Sequence, residues 1–308
     1  MERGVVVIGG GIGGVQASLD LANAGIRVYM VERQPSIGGV MAQLDKTFPT
    51  NDCSMCILSP KLVEVARHPN IELLTNSEVS AVEGAAGEFT VTVTKHPRYV
   101  DMDKCIACGT CTEKCPSKVP SEFDQGMTHR KAIYAMFPQA VPLKWSLDPE
   151  HCLYLTKEKC GICAKVCPAE AVNFEDTEEV VQVDATAIVV APGFASYDPS
   201  ALSAFGHGRY PNVITNLEFE RMLNASGPTE GHLVRPADGE PPKRIAFLQC
   251  VGSRDVHHGT VDCSLVCCTY AVGQAHDLKE MFPDSTITIH YMDMRGPYRG
   301  FERHYMDA

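Results

Sequence analysis

Eight cysteines in two runs carry the most specific chemistry in this chain. The first run is Cys105-x2-Cys108-x2-Cys111-x3-Cys115, closed by Pro116. The second is Cys152-x7-Cys160-x2-Cys163-x3-Cys167, closed by Pro168. Thiolates bind iron, and this spacing is the one bacterial electron carriers use for 4Fe–4S clusters, the fourth cysteine of each run serving the other cluster. The crossed pairing assigns one cluster to Cys105, Cys108, Cys111 and Cys167, and a second to Cys152, Cys160, Cys163 and Cys115. Zinc sites do not use two such Cys-Pro-terminated runs, so iron is favoured over zinc. The long gap after Cys152 is the one departure, and a three-iron cluster lacking that ligand is the alternative it leaves. Trp145, the single tryptophan, lies near these cysteines and is expected to pack.

A second chemistry starts at the N-terminus. Gly9, Gly11 and Gly14 satisfy G-x-G-x-x-G, with Gly13 in the same turn. The first glycine permits the tight turn, the second lets a pyrophosphate approach the backbone, and the third packs helix on strand. The helix N-terminus then offers free N–H donors to phosphate. Glu32, eighteen positions after Gly14, falls at the end of the next strand, where it can accept from ribose hydroxyls.

Six further cysteines remain. For Cys53 and Cys56, a C-x2-C pair, the readings are a redox disulfide, half of a cluster site, or two structural thiols. Cys250 follows a strand at the place where a second nucleotide domain would begin its glycine turn, but Val251-Gly252-Ser253-Arg254 comes next. Cys263 and Cys267, four apart at an expected helix start, share one face, with Cys268 beside them. A helix N-terminus favours thiolate and an anionic cluster. These four thiols are therefore expected to hold a third cluster in place of a pyridine-nucleotide phosphate, buried structural cysteines being the alternative.

The elements that must position these groups read as α/β. Residues 5–8 form a β-branched run suited to a buried parallel strand, residues 15–24 have helical spacing, and residues 26–31 form the next strand. Residues 59–67 are expected as a helix with Pro60 at its first position, and residues 72–93 as short strands. Periodicity weakens over residues 95–174, and residues 180–190 resume buried-strand character, ending in Ala191-Pro192-Gly193. The nucleotide fold is thus interrupted and resumed. Residues 227–243 read as a linker. A second α/β unit then has strands at 244–248 and 286–291 around a helix at 264–281. The expected domains are 1–95 and 177–228 for the nucleotide fold, 96–176 for a ferredoxin-like insertion, and 229–308 for a partial second α/β domain.

At 308 residues the chain is long enough for more than one domain. No apolar run reaches the roughly 18 residues of a membrane span. A net charge of −11 argues against nucleic acid as a partner. Fourteen cysteines in short regular spacings within a large chain favour metal ligation in a reducing compartment, the cytoplasm, over disulfides. No Ser–His–Asp set or paired acids are visible, and His257-His258 read as loop histidines.

Gly38-Gly39 and Gly193 resemble the glycine signatures of two-dinucleotide flavoproteins of the thioredoxin-reductase type. That resemblance implies FAD rather than NAD at the first site, a Pro-Gly turn approaching the flavin, and contact of Val79 with adenine. The chain as a whole resembles the A subunit of heterodisulfide reductase. The likeness rests on residues 9–14, Val31-Glu32-Arg33, the 44–50 stretch leading into Cys53 and Cys56, and the double cluster motif. It rests also on Cys250-Val-Gly-Ser-Arg-Asp255, Cys263-Ser-Leu-Val-Cys267-Cys268 and Tyr291-Met-Asp-Met-Arg295.

The resemblance implies a Rossmann-type FAD-binding fold with a two-cluster ferredoxin insertion and an atypical cluster on Cys250, Cys263, Cys267 and Cys268. It implies cluster-bearing heterodisulfide-reductase-type partner subunits, a hydrogenase- or formate-dehydrogenase-type input subunit, ferredoxin, and a homodimer within a larger complex. In the methanogen enzyme, FAD bifurcates electron pairs between ferredoxin and the CoM–CoB heterodisulfide. Relatives serve quinone- or sulfur-linked electron transfer. Two departures accompany the likeness. The chain starts at the flavin strand, without the N-terminal extension that helps ligate a cluster with the C-x2-C pair, and it ends before the family's return segment. The expectation is a shortened or split member, or a flavin completed by another chain. Competing readings are an NAD(P)H-dependent flavin oxidoreductase resembling the small subunit of glutamate synthase, and a relay scaffold with a vestigial flavin fold.

Overall fold

The computed structural model describes residues 2–48, 50–258 and 260–308. The chain divides into two compact units, Met1–Gln43 with Met55–Gly193, and Leu44–Ser54 with Phe194–Ala308. Residues 194–228, expected with the nucleotide fold, thus group with the second unit.

The first unit begins with β1 (Gly4–Ile8), α1 (Ile12–Asn23) and β2 (Val28–Glu32). After α2 (Ser54–Arg67) come β3 (Ile71–Thr75), β4 (Ser77–Ala85) and β5 (Glu88–Lys95), and much later β6 (Glu179–Val190). They make a six-stranded sheet in the order β3-β2-β1-β6-β5-β4. The pairs β3–β2, β2–β1 and β1–β6 are parallel, whereas β6–β5 and β5–β4 are antiparallel. This is a Rossmann-like α/β fold on a mixed sheet.

The apolar run of β1 is buried on both faces, as a central parallel strand requires. Val5 and Val7 pack with Val15, Leu19, Leu58 and Leu62 on one side, and Val6 with Tyr29, Val91 and Val183 on the other. Each such side chain contributes about 1.5–3 kcal/mol on burial.

Two elements differ from expectation. The α2 helix starts at Ser54, not at residue 59, so Pro60 lies inside it and forfeits the bond to the carbonyl of Cys56. β6 is not a continuously buried strand. Val183 and Ala185 are buried, but Val180, in the part paired with β5, and Val190, beside Ile8 of β1, are exposed.

Between β5 and β6 the chain carries three short helices, α3 (Thr110–Lys114), α4 (Leu153–Lys157) and α5 (Ile162–Val166). Two small ladders join them, Val119–Pro120 with His129–Arg130 and Ile133–Tyr134 with Ser146–Leu147. The neck of this segment is closed by Asp176, whose Oδ2 accepts from the N–H groups of Arg98 and Tyr99 at 2.8 and 2.9 Å.

The second unit contains α6 (Asn216–Leu223), α7 (Cys267–Met281) and α8 (Phe301–Asp307), with β7 (Arg244–Leu248) paired in parallel to β8 (Thr286–His290). A capping box of Thr215 and Glu218 starts α6. The Leu44–Ser54 stretch is tied to α6 and α7 by polar contacts. Glu220 accepts the N–H of Asp45 at 2.8 Å and the amide of Gln274, and Lys46 reaches Asp277 at 3.2 Å. Burial pushes the Glu220 carboxyl above its usual range, against the pull of the Asp45 N–H and Gln274. Among the described residues, no helix is long and apolar enough to cross a membrane.

Candidate flavin and metal sites

The turn between β1 and α1 is glycine for two different reasons. Gly9 has φ +107°, and a Cβ there would lie 2.1 Å from the carbonyl oxygen of Ala191. A Cβ on Gly14 would lie 1.9 Å from the carbonyl oxygen of Gly9. These positions are glycine because the fold leaves no room. At Gly11 the nearest atom to a Cβ is 3.9 Å away, and at Gly13 nothing lies within 4 Å. The protein's own packing therefore does not require glycine at either. Both border the start of α1, which has no side-chain cap and so leaves its first N–H groups for a ligand. The cradle fits a pyrophosphate.

Three other segments meet this turn. Glu32 Oε2 accepts the N–H of Gly10 at 2.6 Å, and Oε1 accepts that of Gln34 at 2.8 Å. Each oxygen keeps lone-pair capacity for a ribose hydroxyl. Gly38 donates to the carbonyl of Gly10 at 2.8 Å, and a Cβ on Gly39, at φ +57°, would lie 2.8 Å from Gly11 Cα. Ala191 donates to Ile8 at 2.8 Å, bringing exposed Gly193, at φ +71°, to the same end of the sheet. Arg33 is exposed just beyond Glu32, and Val79 is half-buried in β4. The start of β4 is held near β2 by Asn76, whose N–H donates to Gln34 at 2.8 Å. Sequence reasoning missed Gly10, the donor that orients Glu32, although its place inside the motif is a signal for it.

The two thiol runs fold as a near repeat. Gly109, at φ +83°, precedes α3, and Gly161, at φ +79°, precedes α5; the Trp145 and Tyr154 rings lie 3.5 Å from where their Cβ atoms would be. Cys111 and Cys163 are buried in these helices, while Cys115 and Cys167 sit at their C-terminal ends in extended conformation. Burial pushes the Cys111 thiol up to about 12, helped by nearby Cys167 and Cys105. Burial likewise pushes Cys163 up to about 11, helped by Cys152, Cys115 and Cys160. Exposed Cys108 is held below the usual thiol range by Thr110, whose hydroxyl is 3.5 Å away. Cys115, Cys152, Cys160 and Cys163 line one cavity.

A tetrahedral zinc site, with Zn–S near 2.3 Å, would bring its sulfurs to roughly 3.8 Å of one another. Among the described residues no three cysteines come within 4.8 Å; His276, Asp277 and Glu280 do.

In the second unit Cys250 follows β7 in a left-handed conformation, φ +61°. Burial raises its thiol, as do Cys267 and Cys263 nearby, while Arg254 opposes them. Cys268 is raised by burial, with Cys267 and Cys250 as neighbours. The four thiols thus gather at the start of α7. However, α7 begins at Cys267, so Cys263 is not on a helical face; a loop with Leu265 at φ +62° returns it instead. Cys53 and Cys56 are disulfide-bonded and offer no thiolate to a metal here, whereas the other twelve cysteines are free. His257 and His258 lie in a loop.

The model of the pyridine nucleotide-disulphide oxidoreductase family matches residues 3–152. The chain is 50% identical over 300 residues to the A subunit of H(2):CoB-CoM heterodisulfide,ferredoxin reductase from Methanothermobacter thermautotrophicus, covering 97% of this chain and 45% of that protein. It is 54% identical over 300 residues to an iron-sulfur A subunit of CoB--CoM heterodisulfide reductase from Methanopyrus kandleri, with the same coverage of 97% and 45%. Against the A subunit of Ferredoxin:CoB-CoM heterodisulfide reductase from Methanosarcina mazei it is 46% identical over 305 residues, covering 99% of this chain and 38% of that one. The chain spans less than half the length of these relatives. Identity at this level, over a span that takes in nearly all of the chain, leaves one conclusion: it belongs to the family of heterodisulfide reductase A subunits.

Proposed function

We propose that this chain is the flavin- and iron–sulfur-bearing electron-transfer part of a heterodisulfide-reductase-like oxidoreductase. The observation that carries the reading is the pairing, within one compact unit, of a pyrophosphate cradle with two sets of four thiols. FAD exchanges electrons in pairs and 4Fe–4S clusters exchange them singly, so a chain holding both connects two-electron to one-electron chemistry. The N–H groups at the start of α1 and the room at Gly11 and Gly13 would hold the pyrophosphate, Glu32 the ribose, and the Val79 stretch the adenine. Cys105, Cys108, Cys111 and Cys167 would hold one cluster, and Cys115, Cys152, Cys160 and Cys163 the other. A third would rest on Cys250, Cys263, Cys267 and Cys268.

The electrons would pass to or from ferredoxin and cluster-bearing partner subunits, as the names of the relatives suggest, with bifurcation at the flavin as the fullest form of the reading. The same reading sets the protein in the reducing cytoplasm. An NAD(P)H-dependent flavin oxidoreductase needs a glycine turn after β7, and Cys250 stands there instead. The test is anaerobic purification with flavin and iron quantified together. The reading expects one FAD and about twelve iron per chain, four for each cluster. About eight iron would remove the third cluster, and a flavin-free or zinc-loaded protein would overturn the reading as a whole.

A further inference from the structure

The single tryptophan of the chain brings a hydrogen-bond donor to the first thiol run, and no protein atom takes it up. Trp145 is half-buried and packs on the core that holds Cys105 and Cys111. Its Nε1 is buried without a hydrogen-bond partner among the described residues. An indole N–H can only donate, and shutting it away from water without an acceptor costs free energy. Buried tryptophans ordinarily find a partner for this group, so the orphan calls for an explanation.

Two contacts tie this stretch to the first run and not to the second. Cζ2 of the indole, on the same edge of the ring as Nε1, lies 3.5 Å from where a Cβ on Gly109 would be. Gly109 stands in the loop between Cys108 and Cys111. Lys144, the preceding residue, donates from Nζ to the carbonyl of Cys105 at 2.6 Å. The backbone acceptors these contacts bring together are already taken. Lys144 holds the carbonyl of Cys105, and the N–H groups of Thr112 and Glu113 hold that of Gly109 at 3.0 and 3.2 Å. In the other half of the near repeat the ring facing Gly161 is Tyr154, which turns Cδ2 and Cε2 to it at 3.5 and 3.7 Å. Those are ring carbons with no N–H to give.

Hydrogen bonds to the sulfurs are one of the means by which a protein sets the potential of a 4Fe–4S cluster. The acceptor gains negative charge on reduction and then holds its donor more strongly, so the bond favours the reduced form. We propose that the Trp145 indole N–H donates to the cluster on Cys105, Cys108, Cys111 and Cys167 and raises that cluster's reduction potential. The inference rests on the two-cluster reading above. Packing against Gly109 aims the donor, and the Lys144 bond to Cys105 fixes the chain beside it.

Because Trp145 is the only tryptophan, tryptophan labelled with nitrogen-15 in the indole marks this one atom in the full, unsubstituted chain. The test is pulsed EPR of the labelled, reduced protein, with iron content checked. A nitrogen-15 coupling is expected on the signal that C111S abolishes and not on the one that C163S abolishes. No coupling, or coupling on the C163S-sensitive signal, overturns the proposal. Potentiometric titration gives a second readout. W145F keeps an aromatic ring and loses the N–H, and the C111S-sensitive cluster should move to more negative potential while the other stays. The change expected is roughly two- to tenfold in the reduction equilibrium, tenfold being about 59 mV for one electron. Iron-replete W145F with both potentials unmoved, or with both moved equally, also overturns it. Should W145F not fold, the labelled parent carries the test alone. Parent protein with too little iron for two clusters overturns the cluster reading instead.

Discussion

Gly11 and Gly14 stand three residues apart in the same motif, yet replacing each with alanine should produce opposite kinds of damage. At Gly14 the added methyl carbon would sit 1.9 Å from the carbonyl oxygen of Gly9 and 3.4 Å from Val7 Cγ1. The obstructing atom is backbone, so α1 must move off β1, and overpacking of this sort costs about 1–3 kcal/mol or more. At Gly11 the backbone is ordinary, φ −74° and ψ 179°, and the nearest atom would be 3.9 Å away. There alanine should leave the ligand-free protein as stable as the parent or stabilise it by up to about 1 kcal/mol, through the unfolded chain. What it removes is the space through which the pyrophosphate reaches the N–H groups of α1. Loss of one hydrogen bond to a charged group is worth about 1.5–3 kcal/mol. That corresponds to roughly ten- to hundredfold weaker FAD binding. Urea denaturation of the flavin-free proteins and fluorescence titration with FAD separate the two effects. The reasoning is refuted if G11A binds FAD as tightly as the parent, or if G14A unfolds at the parent's urea midpoint.

E32A leaves the N–H groups of Gly10 and Gln34 without their acceptor; a loss of about 1–3 kcal/mol in stability and weaker FAD binding are expected, read by thermal melts with and without flavin. The crossed cluster assignment predicts that C115S abolishes the same EPR signal as C163S, and C167S the same signal as C111S. The uncrossed pattern would show the reverse. C268A should lower iron content by about four per chain while leaving both of those signals in place. Burial alone would raise Asp148, but hydrogen bonds from Arg130 and His151, each at 2.9 Å, hold its carboxyl below the usual range. Because the folded value is depressed, this stabilisation is present above the unfolded pKa of about 3.9 and is lost as pH falls through the folded one. The stability gap between the parent and D148N, followed by urea midpoints from pH 7 down to pH 3, should therefore close on acidification.

What could be read from sequence was whatever a short stretch decides for itself. The thiol runs are legible because their short spacing is written in the chain itself, and each folds around one short helix, α3 and α5. β1 is legible because a strand buried on both faces must show its burial in its composition. The start of α2 was not, because Pro60 marks a helix's first turn by local rules, while the helix, with Leu58, Leu62 and Val65 packed on the sheet, begins six residues before it. Cys263 was misplaced for a similar reason: i, i+4 spacing implies one helical face only where a helix exists, and Leu265 at φ +62° breaks it. Arg98 lies furthest from any local signal. Its partners Thr75 and Pro35 are 23 and 63 residues away, so its burial is a property of how the inserted segment closes on the sheet.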